Sequence, residues 1–324
     1  MILVALNMRL YKIAIPEHVS EFFDPDGFTI RRLERVVINT LCGNKEVLTI
    51  IGGYGMGKTH ALKYIESLSR SRGLKPIYVQ SPGRSFMDFY STVMENLIDT
   101  IHDVKYQAKN PALKRALELL DNQEAHLYAK GWLLGYAIPA NIRYKLGLMG
   151  NIRESLAVNL LVEVLSLALA KVKGVVILLD EVETILNQPK NTRFSYTENL
   201  RELIDGMPRN TALVVAMTPA CWDDITTLNP ALFRRLSSNI LYLKPVRKEH
   251  LKSFLSLYFK ELLNLLDEDV YDHIYDLSNG VQGEILRLTS ILLEEAIHRL
   301  KSTNDRNSAK MSLEEAKQIL SEHV

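Results

Sequence analysis

The chain has 324 residues, 47% hydrophobic and 24% charged, which excludes a disordered or fibrous polymer and leaves room for two modest domains. With a formal net charge of +1, a nucleic-acid partner would have to be met by a local patch, not by the field of the whole molecule. Cys42 and Cys221 are the only cysteines, without CxxC or metal-ligand spacing, so a reducing, cytoplasmic setting is expected.

In chain order, the opening MILVALN is too short for the apolar core of a signal peptide and has no basic flank before it. Arg31, Arg32 and Arg35 lie together and read as a solvated face, with phosphate-backbone contact as the competing reading. Val47–Ile51 is a compact apolar run that suits a buried strand emptying into a turn. The turn is IIGGYGMGKTH over residues 50–60. Gly52, Gly53, Tyr54, Gly55, Met56, Gly57, Lys58 and Thr59, with His60 directly after them, hold the pattern G-x-x-x-x-G-K-[ST], in which backbone N–H groups and one ammonium surround a polyphosphate. His60 reads as a packing residue and not as a base. Ala61, Leu62, Ile65 and Leu68 then recur at helical spacing until Gly73. The glycines therefore sit between a strand and a helix, the context the motif requires, and the helix N-terminus adds its own anion affinity.

Lys75–Val79 reads as a second strand, and Ser85 with Asp88 as a capping box for a helix running to about residue 101. Periodicity loosens over 103–150, which is expected to be a helical insert with loops. Leu156–Ala170 is apolar but interrupted by Asn159, Glu163 and Ser166, so it reads as a core helix and not a membrane span. Val175–Leu179 is a fully buried strand that delivers Asp180 and Glu181 at its end. A helix and the strand TALVVAM follow, and Trp132 and Trp222 are assigned to burial or an interface. Alternation of strands and helices predicts an α/β fold, a doubly wound parallel sheet with ligands at the strand C-termini. Beyond Pro245, past the basic trio Lys244, Arg247 and Lys248, the pattern turns wholly helical, and Ser312 with Glu315 caps a last helix. The expected division is 1–45 as a leading segment, 46–244 as the nucleotide domain, and 245–324 as a small helical lid.

The chemistry follows from the residue types. Lys58 would neutralise the β- and γ-phosphates of a nucleoside triphosphate, the Thr59 hydroxyl and Asp180 would supply oxygens to Mg²⁺, and Glu181 would orient the attacking water. The competing readings are a plain strand-to-helix turn for the glycines and a helix cap for the acidic pair.

The succession GGYGMGKT, VVILLDEVE, LVVAMTP, ALFRRLSS and a helical lid resembles AAA+ ATPases of the origin-recognition and initiator-loader kind. Three stretches (GGYGMGKTHALKYIE, WLLGYAIPANIRYKLGLMGN, and VVILLDEVETILN followed by ENLRELIDGMP) are similar to the ATP-binding family associated with BREX phage-defence systems. The resemblance implies an ATPase that binds ATP and Mg²⁺, oligomerises, and loads or remodels a nucleic-acid-associated protein partner. It also implies that Thr218 senses the γ-phosphate and that Arg234 or Arg235 is a finger reaching a neighbouring subunit. This chain departs from the loader pattern twice, with Thr218–Pro219 after the fourth strand and Gly283 where the lid motif places arginine; Arg287, one turn on, is the substitute candidate. A slow nucleotide-switch module and an ATP-dependent DNA-coating regulator of transposition or replication are the competing functions. With no winged-helix pattern after the lid, sequence-specific DNA reading by this chain alone is not expected.

Overall fold

The computed structural model describes residues 22–303, 305 and 308–323, so the reading of MILVALN lies outside the described residues. Two compact units form: one takes in 29–51 and 61–242, and the other joins 52–60 to 243–324 together with the residues just before position 29.

The first unit is built on five parallel strands, β1 (Glu46–Ile51), β2 (Lys75–Val79), β3 (Val175–Leu179), β4 (Thr211–Met217) and β5 (Ile240–Tyr242), in the order β2-β3-β4-β1-β5. Every residue of β3 and β4 is buried. That is why both read as continuous apolar runs: helices cover both faces of a parallel sheet, so no side of the strand can be polar. Their register is Leu179 opposite Val215, and β4 pairs on its other side with β1, Ile51 opposite Met217. The strand that feeds the glycine loop is therefore separated by β4 from the strand that ends at Asp180. The doubly wound parallel sheet expected from the sequence is the observed fold.

Helices cross over between the strands. Phe86–His102 opens as expected on Ser85, whose backbone N–H donates to the Asp88 carboxylate at 3.2 Å, and it buries Phe86, Phe89, Tyr90, Val93, Met94 and Leu97. Glu154–Ala168 buries Val158, Leu161, Val164 and Leu165, so its apolar run belongs to the core. It ends two residues before the end of that run at Ala170. The 103–150 stretch is helical in three pieces, Pro111–Leu119, His126–Leu133 and Ala140–Leu146. Trp132 lies fully buried there and its Nε1 donates to the Gly150 carbonyl at 3.1 Å. Several elements escape the sequence reading, among them the helices Pro219–Leu228 and Pro230–Leu236. The helix Phe28–Leu41 buries Leu33, Val36, Val37 and Thr40 along one stripe, and β5 has only three residues.

The second unit carries its own apolar core, with Phe254, Leu255, Ile274, Leu288, Leu292 and Leu293 at its centre. The helical pattern over EHLKSFLSLYFKELLNLL is interrupted in the structure. Leu251–Phe259 stops where Lys260 enters the left-handed region (φ 47°), and a 3₁₀ stretch to Leu265 follows. Glu268–Ser278 ends in Asn279 and Gly280, both at positive φ, before the long helix Gln282–Thr303. Leu313–Ser321 closes the unit, capped as expected by Ser312 and Glu315. Among the described residues no helix is long and apolar enough to cross a membrane.

Candidate active site

The glycine loop leaves β1 at Gly52 and turns into the helix Lys58–Ser71. Gly55 (φ 73°) and Gly57 (φ 85°) occupy backbone conformations that a Cβ penalises. Lys58 is only 9% exposed, and its ammonium donates to the carbonyls of Gly52 (3.0 Å) and Gly53 (3.1 Å), 5.3 Å from the centre of the exposed Tyr54 ring. Met56 is buried. The loop thus has a rigid frame, its one cation drawn in among its own carbonyls. Thr59 is partly exposed in the first turn of the helix. The His60 ring packs edge-on against Phe22, ring centroids 5.3 Å apart.

The start of the helix Gln282–Thr303 lies directly on this loop. The Gly283 N–H donates to the Gly55 carbonyl at 2.8 Å, and a Cβ on Gly283 would come within 3.1 Å of the Gly55 Cα. The Gln282 amide oxygen stands where a Gly57 Cβ would meet it at 2.6 Å. This close approach is the physical reason for glycine where the lid motif places arginine. Arg287 grips Glu284 with a two-pronged hydrogen bond (2.9 and 2.5 Å) and reaches the His323 carbonyl at 3.4 Å; that grip holds the Glu284 carboxyl below its ordinary range. Its guanidinium is therefore engaged within the helical unit. Lys248 pairs with Asp272 (3.1 Å) and Arg247 with Asp26 (3.6 Å), so these two of the basic trio sit in paired surface charge.

In the sheet unit, Asp180 follows β3 and is 2% exposed. Its backbone N–H donates to the Val79 carbonyl (2.9 Å), its Oδ1 accepts from the Glu181 N–H (2.9 Å), and its Oδ2 accepts from the Tyr78 hydroxyl (3.0 Å). Glu181 is exposed and sits at φ 49°, an uncommon conformation for a residue with a Cβ. It opens a 3₁₀ turn, Val182–Asn187, which is anchored through Thr184 Oγ1 to Ser81 Oγ at 3.1 Å. Two adjacent carboxylates therefore differ sharply: one is buried and held at both oxygens, the other is solvent-facing at a positive-φ position.

Thr218 is buried at the end of β4, where its hydroxyl oxygen accepts from the Cys221 N–H at 3.3 Å and caps the helix Pro219–Leu228. Asn229 caps the next helix, Pro230–Leu236, by accepting from the Leu232 N–H (3.0 Å) while donating to Glu198 (3.1 Å). Arg234 in that helix is exposed. Arg235 instead clasps both oxygens of Asp205 (3.0 and 2.8 Å), which holds that carboxyl below its ordinary range, and donates to the Ala231 carbonyl (2.9 Å). Arg235 also borders an open cleft of about 650 Å³ together with Arg32, Arg35 and Lys45. Trp222 packs on Phe233, ring centroids 4.7 Å apart. Sequence reasoning missed Tyr78, Gln282 and Asn229, whose significance depends on partners distant in the chain.

A parallel sheet of order β2-β3-β4-β1-β5, with a glycine-lysine loop after β1 and an acidic pair after β3, defines a P-loop ATPase of the AAA+ type. Residues 29–288 match the family described as an ATPase domain predominantly from Archaea, and the chain belongs to that family. No curated protein matches the sequence. In fold the chain is similar to the Aeropyrum pernix ORC1 protein in complex with DNA, with a TM-score of 0.57 and 18% identity, covering 96% of this chain and 69% of that one. The ADP form of the Aeropyrum pernix ORC2 protein gives a TM-score of 0.57 at 16% identity, covering 96% and 72% of the two chains. Cdc6p from Pyrobaculum aerophilum gives 0.54 at 14% identity, covering 90% and 66%. At these identities the likeness is one of fold.

Proposed function

We propose that this ATPase is Mg²⁺-dependent, assembles with further copies of itself, and uses ATP binding and hydrolysis to load or remodel a nucleic-acid-associated protein partner. Lys58 takes the β- and γ-phosphates. Thr59 and Asp180 are the oxygen donors that suit a hard cation retaining most of its waters, and Mg²⁺ would supply charge neutralisation on the phosphates. Glu181 orients and helps deprotonate the attacking water. Residues 46–244 act as the ATPase domain, with the 103–150 insert, and 245–324 as the lid.

The observation that carries this reading is the contrast between Asp180 and Glu181. A buried carboxylate fixed at both oxygens suits a metal-side role, whereas an exposed one at a positive-φ position suits work on water. Support for a nucleic-acid-associated partner comes from the fold shared with the ORC1 protein, whose structure contains DNA. Arg32, Arg35 and Lys45, which line one cleft, are the groups proposed here to contact a phosphate backbone. The phage-defence setting rests on the three resembling stretches alone.

The test is a pair of substitutions. Lys58→Ala is expected to abolish ATP binding, because the phosphate charge loses its one counter-charge in the loop. Glu181→Gln is expected to keep ATP affinity within about threefold while lowering turnover by roughly 10²-fold or more. Hydrolysis at the wild-type rate by Glu181→Gln protein overturns the role given to that carboxylate.

A further inference from the structure

Asp180 does not hold its orientation unaided. Tyr78 projects from β2, in register with Leu178 of β3, two residues before Asp180. Its hydroxyl donates to Asp180 Oδ2 at 3.0 Å. Over the face of the same ring stands the Lys63 ammonium, 3.5 Å from the ring centre, itself held by Glu66 at 2.9 Å. Arg70 braces Glu66 from the other side at 2.7 Å. A relay of fixed groups therefore runs Arg70–Glu66–Lys63–Tyr78–Asp180, drawn from the helix Lys58–Ser71 and two adjacent strands.

Each link has a physical consequence. A cation over an aromatic face draws electron density from the ring and makes the phenol O–H a better donor. That donor occupies a lone pair on Oδ2 and, together with the Glu181 N–H on Oδ1, fixes the plane of the carboxylate. Hydrogen bonds of this outer kind orient a metal-binding carboxylate and typically govern 10–100-fold in metal affinity.

We infer that Tyr78, with Lys63 stacked on its ring, is the positioning residue that presents Asp180 to the divalent cation accompanying the nucleotide. The inference rests on the proposed role of Asp180 and extends it to a residue in no recognised motif. Lys63 tunes the tyrosine from a distance of one ring and does not itself touch the cation.

The experiment counts free Mn²⁺ by electron paramagnetic resonance while it is titrated into the full-length protein loaded with a non-hydrolysable ATP analogue. Tyr78→Phe keeps the ring and removes only the donor. It is expected to weaken Mn²⁺ binding about tenfold, while metal-free nucleotide affinity, measured in EDTA, and the melting temperature stay at wild-type values. Lys63→Gln, which leaves the hydroxyl in place, is expected to weaken Mn²⁺ binding about threefold by the same cation–π argument, and it stands as the test should Tyr78→Phe fold poorly. Asp180→Asn is the control. If it lowers Mn²⁺ affinity while neither Tyr78→Phe nor Lys63→Gln does, the inference fails and the reading of Asp180 survives. If Asp180→Asn leaves Mn²⁺ affinity unchanged, the reading of Asp180 itself fails. A loss of metal-free nucleotide affinity in Tyr78→Phe equal to its loss of Mn²⁺ affinity would mark the tyrosine as merely structural and overturn the proposal.

Discussion

At Gly57 the backbone sits at φ 85°, and a Cβ there would lie 2.6 Å from the Gln282 amide oxygen. An alanine would meet two separate penalties: roughly 1–2 kcal/mol for a left-handed conformation, and displacement of the glutamine. Gly57→Ala is therefore expected to lower ATP affinity at least tenfold, read by equilibrium binding of a fluorescent ATP analogue. Adding Gln282→Ala should recover only part of that loss, since the dihedral penalty remains; full recovery would show that the glutamine contact alone demands glycine. This residue-scale constraint is what makes the loop legible in sequence, because special φ values and a phosphate counter-charge must recur at fixed spacing. Asp180 and Glu181 were legible for a related reason: a fully apolar strand ending in two acids is hard to explain by burial alone. Tyr78 was not, since KPIYV carries no sign that its hydroxyl will meet a carboxylate 102 residues away. Gly283 was read as a departure from the lid pattern, and only its hydrogen bond to Gly55 turns that departure into a requirement for a small residue.

Strands covered on both faces announce themselves and short elements held by a few long-range contacts do not, while the helix Phe28–Leu41 escapes although it buries a stripe. β1 to β4 are all legible, β3 and β4 most plainly because parallel strands covered on both faces must be apolar throughout, β1 and β2 through shorter apolar runs. The three residues of β5 are too few to form a pattern, and they are held through their pairing with β1, Thr49 opposite Ile240. The last helix lies at the legible end, and its cap gives a prediction about pH. The Ser312 N–H and hydroxyl both donate to one oxygen of Glu315 (3.0 and 2.7 Å), while Arg299 reaches the other at 2.5 Å. The Ser312 hydrogen bonds, with Arg299 assisting, pull the Glu315 carboxyl down to about 2 from an ordinary 4.5. A carboxyl depressed in the folded state stabilises fully above its unfolded value and loses that contribution as pH falls through the folded value. Amide-exchange protection of Leu313–Ser321 should thus decline between pH 4.5 and about 2. Glu315→Gln should start lower and stay flat over the same window, and an equal decline in the variant would assign the acid sensitivity to another group.

Scaled to the whole molecule, the two arginines of ALFRRLSS separate into different roles. Arg235 is engaged within its own chain by Asp205, in a part-exposed charge pair that contributes little to stability. Arg234, one position earlier on a helix fixed by the Asn229 cap, projects into solvent. A finger must leave its own subunit, so the proposed assembly selects Arg234. A guanidinium delivered to the transition state by a neighbouring chain is worth roughly 10³-fold or more in turnover. Turnover per wild-type chain should then rise with protein concentration and level off once assembly is complete. Arg234→Ala should stay at the low-concentration rate throughout, with ATP affinity retained. Arg235→Ala should follow the wild-type curve, with a melting temperature lower by no more than a few degrees. Mixing settles the direction of the contact: Arg234→Ala chains supply intact sites, and Lys58→Ala chains supply intact fingers, so their mixture should recover activity that neither has alone. Turnover per chain that does not vary with concentration, together with no recovery on mixing, would leave Arg234 as a surface charge and the chain as an ATPase complete in a single copy.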